Sequence, residues 1–297
     1  MTHLTSLSRA PASHSGAGPE NVLVGLIGEG IGPSRSPAMH QGEAAAQGIR
    51  LIYKLLDLHS FDLGANALET LLRSAELMGF SGVNVTHPCK QAVIPLLDRL
   101  SSDAQALGAV NTVLFESGQR IGHNTDWHGF AEAFKLRMAG ASLARVVQLG
   151  AGGAGSAVAY AMLKMGAQHL TLVDADPQRA AALAAKFGAL FGEDRVSTAA
   201  SPAVALAGAT GLINATPIGM AAHPGLPLPA SLLRPDLWVA EIVYFPLETA
   251  LLKTARALGC RTVDGGGMAV FQAAEAFRLF TGITPDTGRM LTNFAQG

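Results

Sequence analysis

Residues 150–155 read Gly150-Ala151-Gly152-Gly153-Ala154-Gly155, and few folds place such a stretch between an apolar run and a run of small residues. Arg145-Val146-Val147-Gln148-Leu149 comes before it and reads as a buried strand. Ser156 to Met165 comes after it and reads as a helix. Strand, glycine turn and helix make the first unit of a dinucleotide-binding fold. Gly150 serves the tight turn, Gly152 lets a pyrophosphate reach the main chain, and Gly155 lets helix and strand touch. The helix N-terminus offers free N–H groups and partial positive charge to phosphates. A G-x-G-x-x-G pattern by itself is weak evidence. Here a second apolar run, His169-Leu170-Thr171-Leu172-Val173, ends in Asp174. An acid about 20 residues past the glycines is where ribose hydroxyls are bound.

The rest of the chain alternates in the same way. Asn21–Ile27, Leu51–Leu58, Gly82–Thr86 and Ala109–Phe115 read as strands. Ala38–Gln47, Phe61–Met78, Gln91–Leu100 and Ser102–Leu107 read as helices. Pro37 suits the first turn of the first helix, with Ser36 as its cap. Alternation of this kind predicts an α/β fold with a parallel or mixed sheet covered on both faces. Gly122–Asp126 leads into a helix through Phe134 that links this part to the dinucleotide unit. That unit continues with a helix at Gln178–Phe187, strands at Thr210–Ala215, Leu237–Tyr244 and Arg261–Val263, and a helix at Leu247–Leu258. Gly265-Gly266-Gly267 reads as a turn before a long helix, Met268–Thr281, which would return to the first domain and leave a cleft between the two. The expected division is a flexible tail (1–20), a first domain (21–125, completed by 268–297) and a dinucleotide-binding Rossmann domain (126–267). Hinges are expected at Gly122–Asp126 and Gly265–Gly267.

Composition excludes several classes. With 297 residues, 49% hydrophobic and 14% charged, the chain describes a soluble globular protein of about two domains. A formal net charge of −1 leaves no electrostatic footprint for nucleic acid or an acidic membrane. No apolar run approaches the roughly 20 residues that span a bilayer. The two cysteines, Cys89 and Cys260, form no C-x-x-C, which favours a reducing cytoplasm. His87, His123 and His128 lack metal-ligand spacing, so no metal is expected.

Singly, the polar residues of the first domain have ordinary explanations: turn and cap residues at Ser34 and Ser36, a solvated lysine at Lys90, a helix cap at Asp126. In order, they resemble the shikimate and quinate dehydrogenase family. The matching stretches are Ser34-Arg35-Ser36-Pro37, Asn84-Val85-Thr86-His87-Pro88-Cys89-Lys90, Gly108-Ala109-Val110-Asn111-Thr112 and Asn124-Thr125-Asp126. Asn214-Ala215-Thr216-Pro217, Val243-Tyr244 and Gly267-Met268 with Gln272-Ala273-Ala274 follow. The resemblance covers residues 22–290. It implies oxidation of a ring secondary alcohol to a ketone with a nicotinamide cofactor, or the reverse. It implies Lys90 as general acid/base and Asp126 as its orienting partner, bonded also to the reacting hydroxyl. It places Ser34, Ser36 and Tyr244 on the substrate carboxylate, and Asn84, Thr86, Asn111 and Gln272 on the ring hydroxyls. It implies that Thr216, Ile242 and Gly265 complete the cofactor site with Gly150, Ala151, Gly152, Gly153, Ala154 and Gly155.

Two places depart from the family's common pattern. Where its NADP-dependent members carry Asn-Arg-Thr, this chain has Asp174-Ala175-Asp176. Asp174 would accept bonds from ribose hydroxyls and repel a 2′-phosphate, so NAD is expected, with NADP the less favoured cofactor and Arg179 within reach of the adenosine. Phe271 stands where a glycine is common. The expectation is an NAD-dependent shikimate or quinate dehydrogenase, monomer or homodimer. The alternatives are an aminoshikimate or other cyclic hydroxy-acid dehydrogenase, or a non-catalytic dinucleotide-sensing protein, which would have no need of both Lys90 and Asp126.

Overall fold

The computed structural model describes residues 21–61 and 67–296. The expected tail, 1–20, lies outside them, as do 62–66 and Gly297.

Among the described residues, two six-stranded sheets follow one another along the chain. The first is built from β1 (Asn21–Gly28), α1 (Ser36–Ala46), β2 (Arg50–Asp57), α2 (Ala67–Leu77), β3 (Gly82–Val85), α3 (Cys89–Ala92), β4 (Arg99–Leu100), α4 (Ser102–Leu107), β5 (Thr112–Glu116) and β6 (Gln119–His123). Its order is β2-β1-β3-β5-β6-β4. β1 runs parallel to β2 and β3, while β5 is antiparallel to both β3 and β6, so the sheet is mixed. After α5 (Asp126–Arg137), the second sheet uses β7 (Arg145–Leu149), α6 (Gly153–Lys164), β8 (His169–Val173), α7 (Pro177–Phe191), β9 (Val196–Thr198), α8 (Pro202–Ala205), β10 (Gly211–Asn214), β11 (Trp238–Glu241), α9 (Ala250–Ala257) and β12 (Arg261–Val263). All its pairings are parallel, in the order β12-β11-β10-β7-β8-β9. Numbered within this half, that is the doubly wound order 3-2-1-4-5-6, which reverses between β7 and β10. The chain closes with α10 (Gly265–Thr281) and α11 (Thr287–Gln296).

Strand alternation divides each core between two faces. In the second sheet, Val146, Leu170 and Ile213 pack beneath α5, α6 and α7, while Val147, Leu212 and Val239 pack with Leu251 of α9. In the first, Val83, Val85 and Val113 pack with α2, while Val22, Val24 and Tyr53 pack with Phe277 and Phe280 of α10. Thus the terminal helix of the second half caps one face of the first sheet. α5 lies against α10 at Gly129, where an added Cβ would come within 2.5 Å of Met268 O and 2.8 Å of Gln272 Cβ. Gly129→Ala is therefore expected to push α10 away from α5, at a cost of about 1–3 kcal/mol, and to raise the KM of any substrate that Gln272 touches. Thermal melts with steady-state kinetics check both.

α11 ties the N-terminus of α1 to the C-terminus of the chain. Arg35 Nη2 donates to Phe294 O at 2.6 Å, and its guanidinium lies 3.9 Å from the centroid of the Phe294 ring. Glu43 accepts two bonds from Arg289 and one from the Asp286 N–H. Burial pushes the Glu43 carboxyl up, but these bonds outweigh it and hold it below its ordinary value. A depressed carboxyl contributes stability above its unfolded pKa and loses it as pH falls through the folded one. Glu43→Gln is expected to lower Tm near neutrality and to flatten the fall of Tm with acid. Wild-type and variant Tm curves of the same shape against pH would refute this.

Several expected boundaries differ. Gln91–Leu100 is not one helix: Pro95 lacks an N–H, and the segment divides into α3, a single 3-10 turn at Ile94–Leu96 and β4. Phe61 is extended, and helix is observed from Ala67, the intervening residues lying outside the described ones. Ser36 is not the cap of α1 but its first residue; Ser34 Oγ instead accepts from the Ser36 N–H at 3.3 Å. Gly265–Gly267 is not a turn. It forms the first turn of α10, capped by Asp264, whose side chain accepts from the Gly266 N–H. Helix α6 starts at Gly153, inside the glycine motif rather than after it.

Candidate active site

The glycine motif occupies the point where the strand order reverses. Gly150 has φ +93°, which a residue with a Cβ rarely adopts, and a Cβ there would lie 2.5 Å from Ala215 O. The loops after β7 and β10 therefore run against one another. A Cβ on Gly155 would lie 2.3 Å from Gly150 O, so helix and strand meet there. At Gly152 and Gly153 an added Cβ meets nothing within 4 Å. That open space at the start of a 12-residue helix fits a pyrophosphate.

Asp174 ends β8 with its carboxylate almost covered. It accepts from Ala151 N–H at 2.7 Å and from Asp176 N–H at 2.9 Å. Arg179 lies between two carboxylates, 3.6 Å from Asp174 and 3.8 Å from Asp176. Across the switch point, Asn214 orders the Thr216 turn: its Oδ1 accepts from Thr216 N and Oγ1. Its Nδ2 donates to Glu241, a buried carboxylate that also accepts from Val243 N and Thr249 Oγ1. Burial pushes the Glu241 carboxyl up. Ile242 N donates to Asn214 O, and a Cβ on Gly265 would lie 2.4 Å from Ile242 O. Thr216, Ile242 and Gly265 thus line the ends of adjacent strands.

The chemical groups of the first sheet meet where β3 finishes and the antiparallel β5 begins. Lys90, on the short helix α3, donates from Nζ to Asp126 Oδ2 at 2.6 Å. Asp126 is the first residue of α5, and its N–H donates to Asn124 Oδ1. Asn111 Nδ2 donates to the other carboxylate oxygen at 2.9 Å and to Thr125 Oγ1 at 2.9 Å. The Lys90 side chain is 29% exposed and that of Asp126 12%, so the pair is partly buried and Lys90 retains solvent access. Asn84, on β3, accepts from Tyr53 OH at 2.8 Å and donates to Asn111 O and Thr112 Oγ1. Thr125 Oγ1 reaches Gln272 Oε1 at 3.5 Å, which places Gln272 of α10 next to this cluster.

Asn84, Lys90, Asn111, Asp126 and Gln272 are therefore gathered in one network. Thr86 follows β3, its methyl packed where a Cβ on Gly28 would come within 2.4 Å. Ser34 and Ser36 open α1, with Ser36 beside the Tyr53 phenol. Tyr244 is half-exposed past the end of β11. Four further polar residues, Tyr53, Thr112, Asn214 and Glu241, join these networks. Thr112 and Asn214 lie inside the matched stretches and were legible there; nothing local marks Tyr53 or Glu241.

Comparison with known proteins bears on this arrangement. Residues 26–113 match the family model described as the shikimate dehydrogenase substrate binding domain, and residues 265–292 match the shikimate 5'-dehydrogenase C-terminal domain. The chain is 59% identical over 279 residues to the shikimate dehydrogenase (NADP(+)) of Streptomyces avermitilis, covering 93% of this chain and 96% of that one. It is 49% identical over 278 residues to the quinate/shikimate dehydrogenase (NAD(+)) of Corynebacterium efficiens, covering 93% and 98%. A solved structure of quinate dehydrogenase from Corynebacterium glutamicum in complex with NAD superposes with a TM-score of 0.89 at 48% identity, covering 93% and 99%. With this identity along nearly the whole chain, and with the two-sheet fold in common, the protein belongs to the shikimate dehydrogenase family of oxidoreductases.

Proposed function

We propose that this protein interconverts the ring alcohol and ketone of shikimate or quinate, with NAD preferred over NADP. One observation carries the reading: Lys90 and Asp126 are 2.6 Å apart, with Asn111 on the second carboxylate oxygen. Bound at Gly150–Gly155 and Asp174, the nicotinamide cofactor would accept or supply the hydride. The hydroxyl proton needs a separate acceptor. In the oxidation the neutral Lys90 amine takes it and becomes an ammonium held by Asp126; in the reduction that ammonium returns it to the forming alkoxide. Ser34, Ser36 and Tyr244 bind the substrate carboxylate; Thr86 and Gln272 bind ring hydroxyls. Asn84 Oδ1 takes one internal bond and keeps a lone pair for a substrate hydroxyl. Asn111 spends both amide hydrogens within the protein, so its part is to hold Asp126. Residues 21–125, completed by 268–297, form the substrate half, and 126–267 the cofactor half.

NAD preference rests on Asp174. The two relatives compared differ in the cofactor they are named for, so the residue has to decide. A panel of shikimate and quinate against NAD and NADP, followed at the reduced nicotinamide absorbance, tests the whole reading. Turnover of either acid supports it; no turnover of either with either cofactor overturns it.

A further inference from the structure

Behind the Lys90–Asp126 pair, polar side chains from four elements form a single line. Tyr53 OH (β2) lies 2.8 Å from Asn84 Oδ1 (β3). Asn84 Nδ2 lies 2.9 Å from Thr112 Oγ1 (β5), which lies 3.1 Å from Asn111 Oδ1. Asn111 Nδ2 lies 2.9 Å from Asp126 Oδ1 (α5). Tyr53, Asn84, Thr112 and Asn111 are all buried, Thr112 completely.

The backbone fixes the direction of this line at two points. Asn84 Nδ2 also faces Asn111 C=O at 3.2 Å, so its amide cannot flip without setting oxygen against oxygen. The Thr125 N–H donates to Asn111 Oδ1 at 2.8 Å and fixes that amide in the same way. Given both orientations, Tyr53 has to donate, and Thr112 has to accept from Asn84 and donate to Asn111. Every hydrogen then points toward Asp126. Bonds in such a file polarise one another, and the last one ends on an ionised acceptor. His40 packs on the Tyr53 ring at 4.9 Å between centroids and offers the phenol no charge, since burial pushes it down to about 3.

We propose that Tyr53 and Thr112 are positioning residues for the reaction, acting on Asp126 through Asn84 and Asn111 as one directed hydrogen-bond chain. This rests on Lys90 and Asp126 being the catalytic pair. Thr112→Val keeps the shape and removes the central link. Its expected effect is a fall in kcat of about tenfold, with the KM of the dinucleotide within about twofold. Thr112→Ser, which keeps the hydroxyl, should return kcat to within about threefold of wild type. Tyr53→Phe alone should lower kcat about threefold. In the Thr112→Val background it should add less than about twofold, because the path from Tyr53 is already cut.

The experiment is this double-mutant cycle in steady-state kinetics, with Lys90→Ala run alongside and Tm recorded for each variant. Wild-type kcat in Thr112→Val, losses that multiply in the double variant, or failure of Thr112→Ser to restore rate would each overturn the chain. Lys90→Ala separates the two levels. If it loses rate while Thr112→Val does not, the chain fails and the proposed function stands. If Lys90→Ala keeps its rate, the role given to Lys90 fails, and with it the pair that the chain is proposed to position, while turnover of the wild type still decides the proposed activity.

Discussion

Lys90→Ala is expected to lower kcat by about 10²- to 10⁴-fold, the span that positioned acid/base groups contribute. The KM values for substrate and dinucleotide should change far less. On the proposed reading the dinucleotide would lie along the second sheet, and the substrate would rest mainly on Ser34, Ser36, Thr86, Tyr244 and Gln272. Removing the ammonium also leaves Asp126 with Asn111 as its remaining side-chain donor, so some structural loss accompanies the chemical one. Asp126→Asn separates the two, since it keeps the size and removes the charge. It should cost rate with modest loss of binding. Near wild-type kcat in Lys90→Ala would show that the proton leaves by another route.

Legibility from the sequence was greatest where one short stretch has one physical job. The glycine motif needs a turn at positive φ, a helix start and a close contact, and each requirement names a residue type at a fixed spacing. Most strands of both sheets follow from alternating runs, but β4, β6 and β9 do not. Gln119–His123 is short and half polar, so it lacks an apolar signature. Its real signal was the turn before it: Ser117 and Gly118 have φ of 51° and 75°, and a Ser-Gly pair between two runs of strand length marks a tight hairpin. The three glycines at 265–267 misled in the other direction. Glycine suggests a turn, but here it allows α10 to start against Ile242 and Ala133, a packing requirement that exists only in three dimensions. Tyr53 belongs to the same class. It sits 31 positions before Asn84, and only the parallel pairing of β1 with both β2 and β3 brings the two together.

The pair Asp174→Asn with Ala175→Arg is expected to move the cofactor preference from NAD toward NADP. In the wild type, a ribose 2′-phosphate at this site would approach a carboxylate already fixed by Ala151 N–H and Asp176 N–H. Two unit charges about 4 Å apart repel by about 4 kcal/mol at an effective dielectric near 20. Solvent reduces this, so the wild-type preference for NAD should be at least about tenfold, or about 1.4 kcal/mol. Arg179 offsets part of this at most, because its charge is already shared between Asp174 at 3.6 Å and Asp176 at 3.8 Å. Asn at 174 removes the repulsion while retaining an acceptor for the glycine loop. Arg at 175 supplies an unpaired, planar cation, the partner a phosphate needs. Asp176 is left in place because it caps α7 through the Gln178 and Arg179 N–H groups. The measurement is the ratio of kcat/KM for the two cofactors in wild type and double variant. A wild-type ratio favouring NADP would mean that the phosphate escapes Asp174, and the determinant would then have to lie outside the loop after β8.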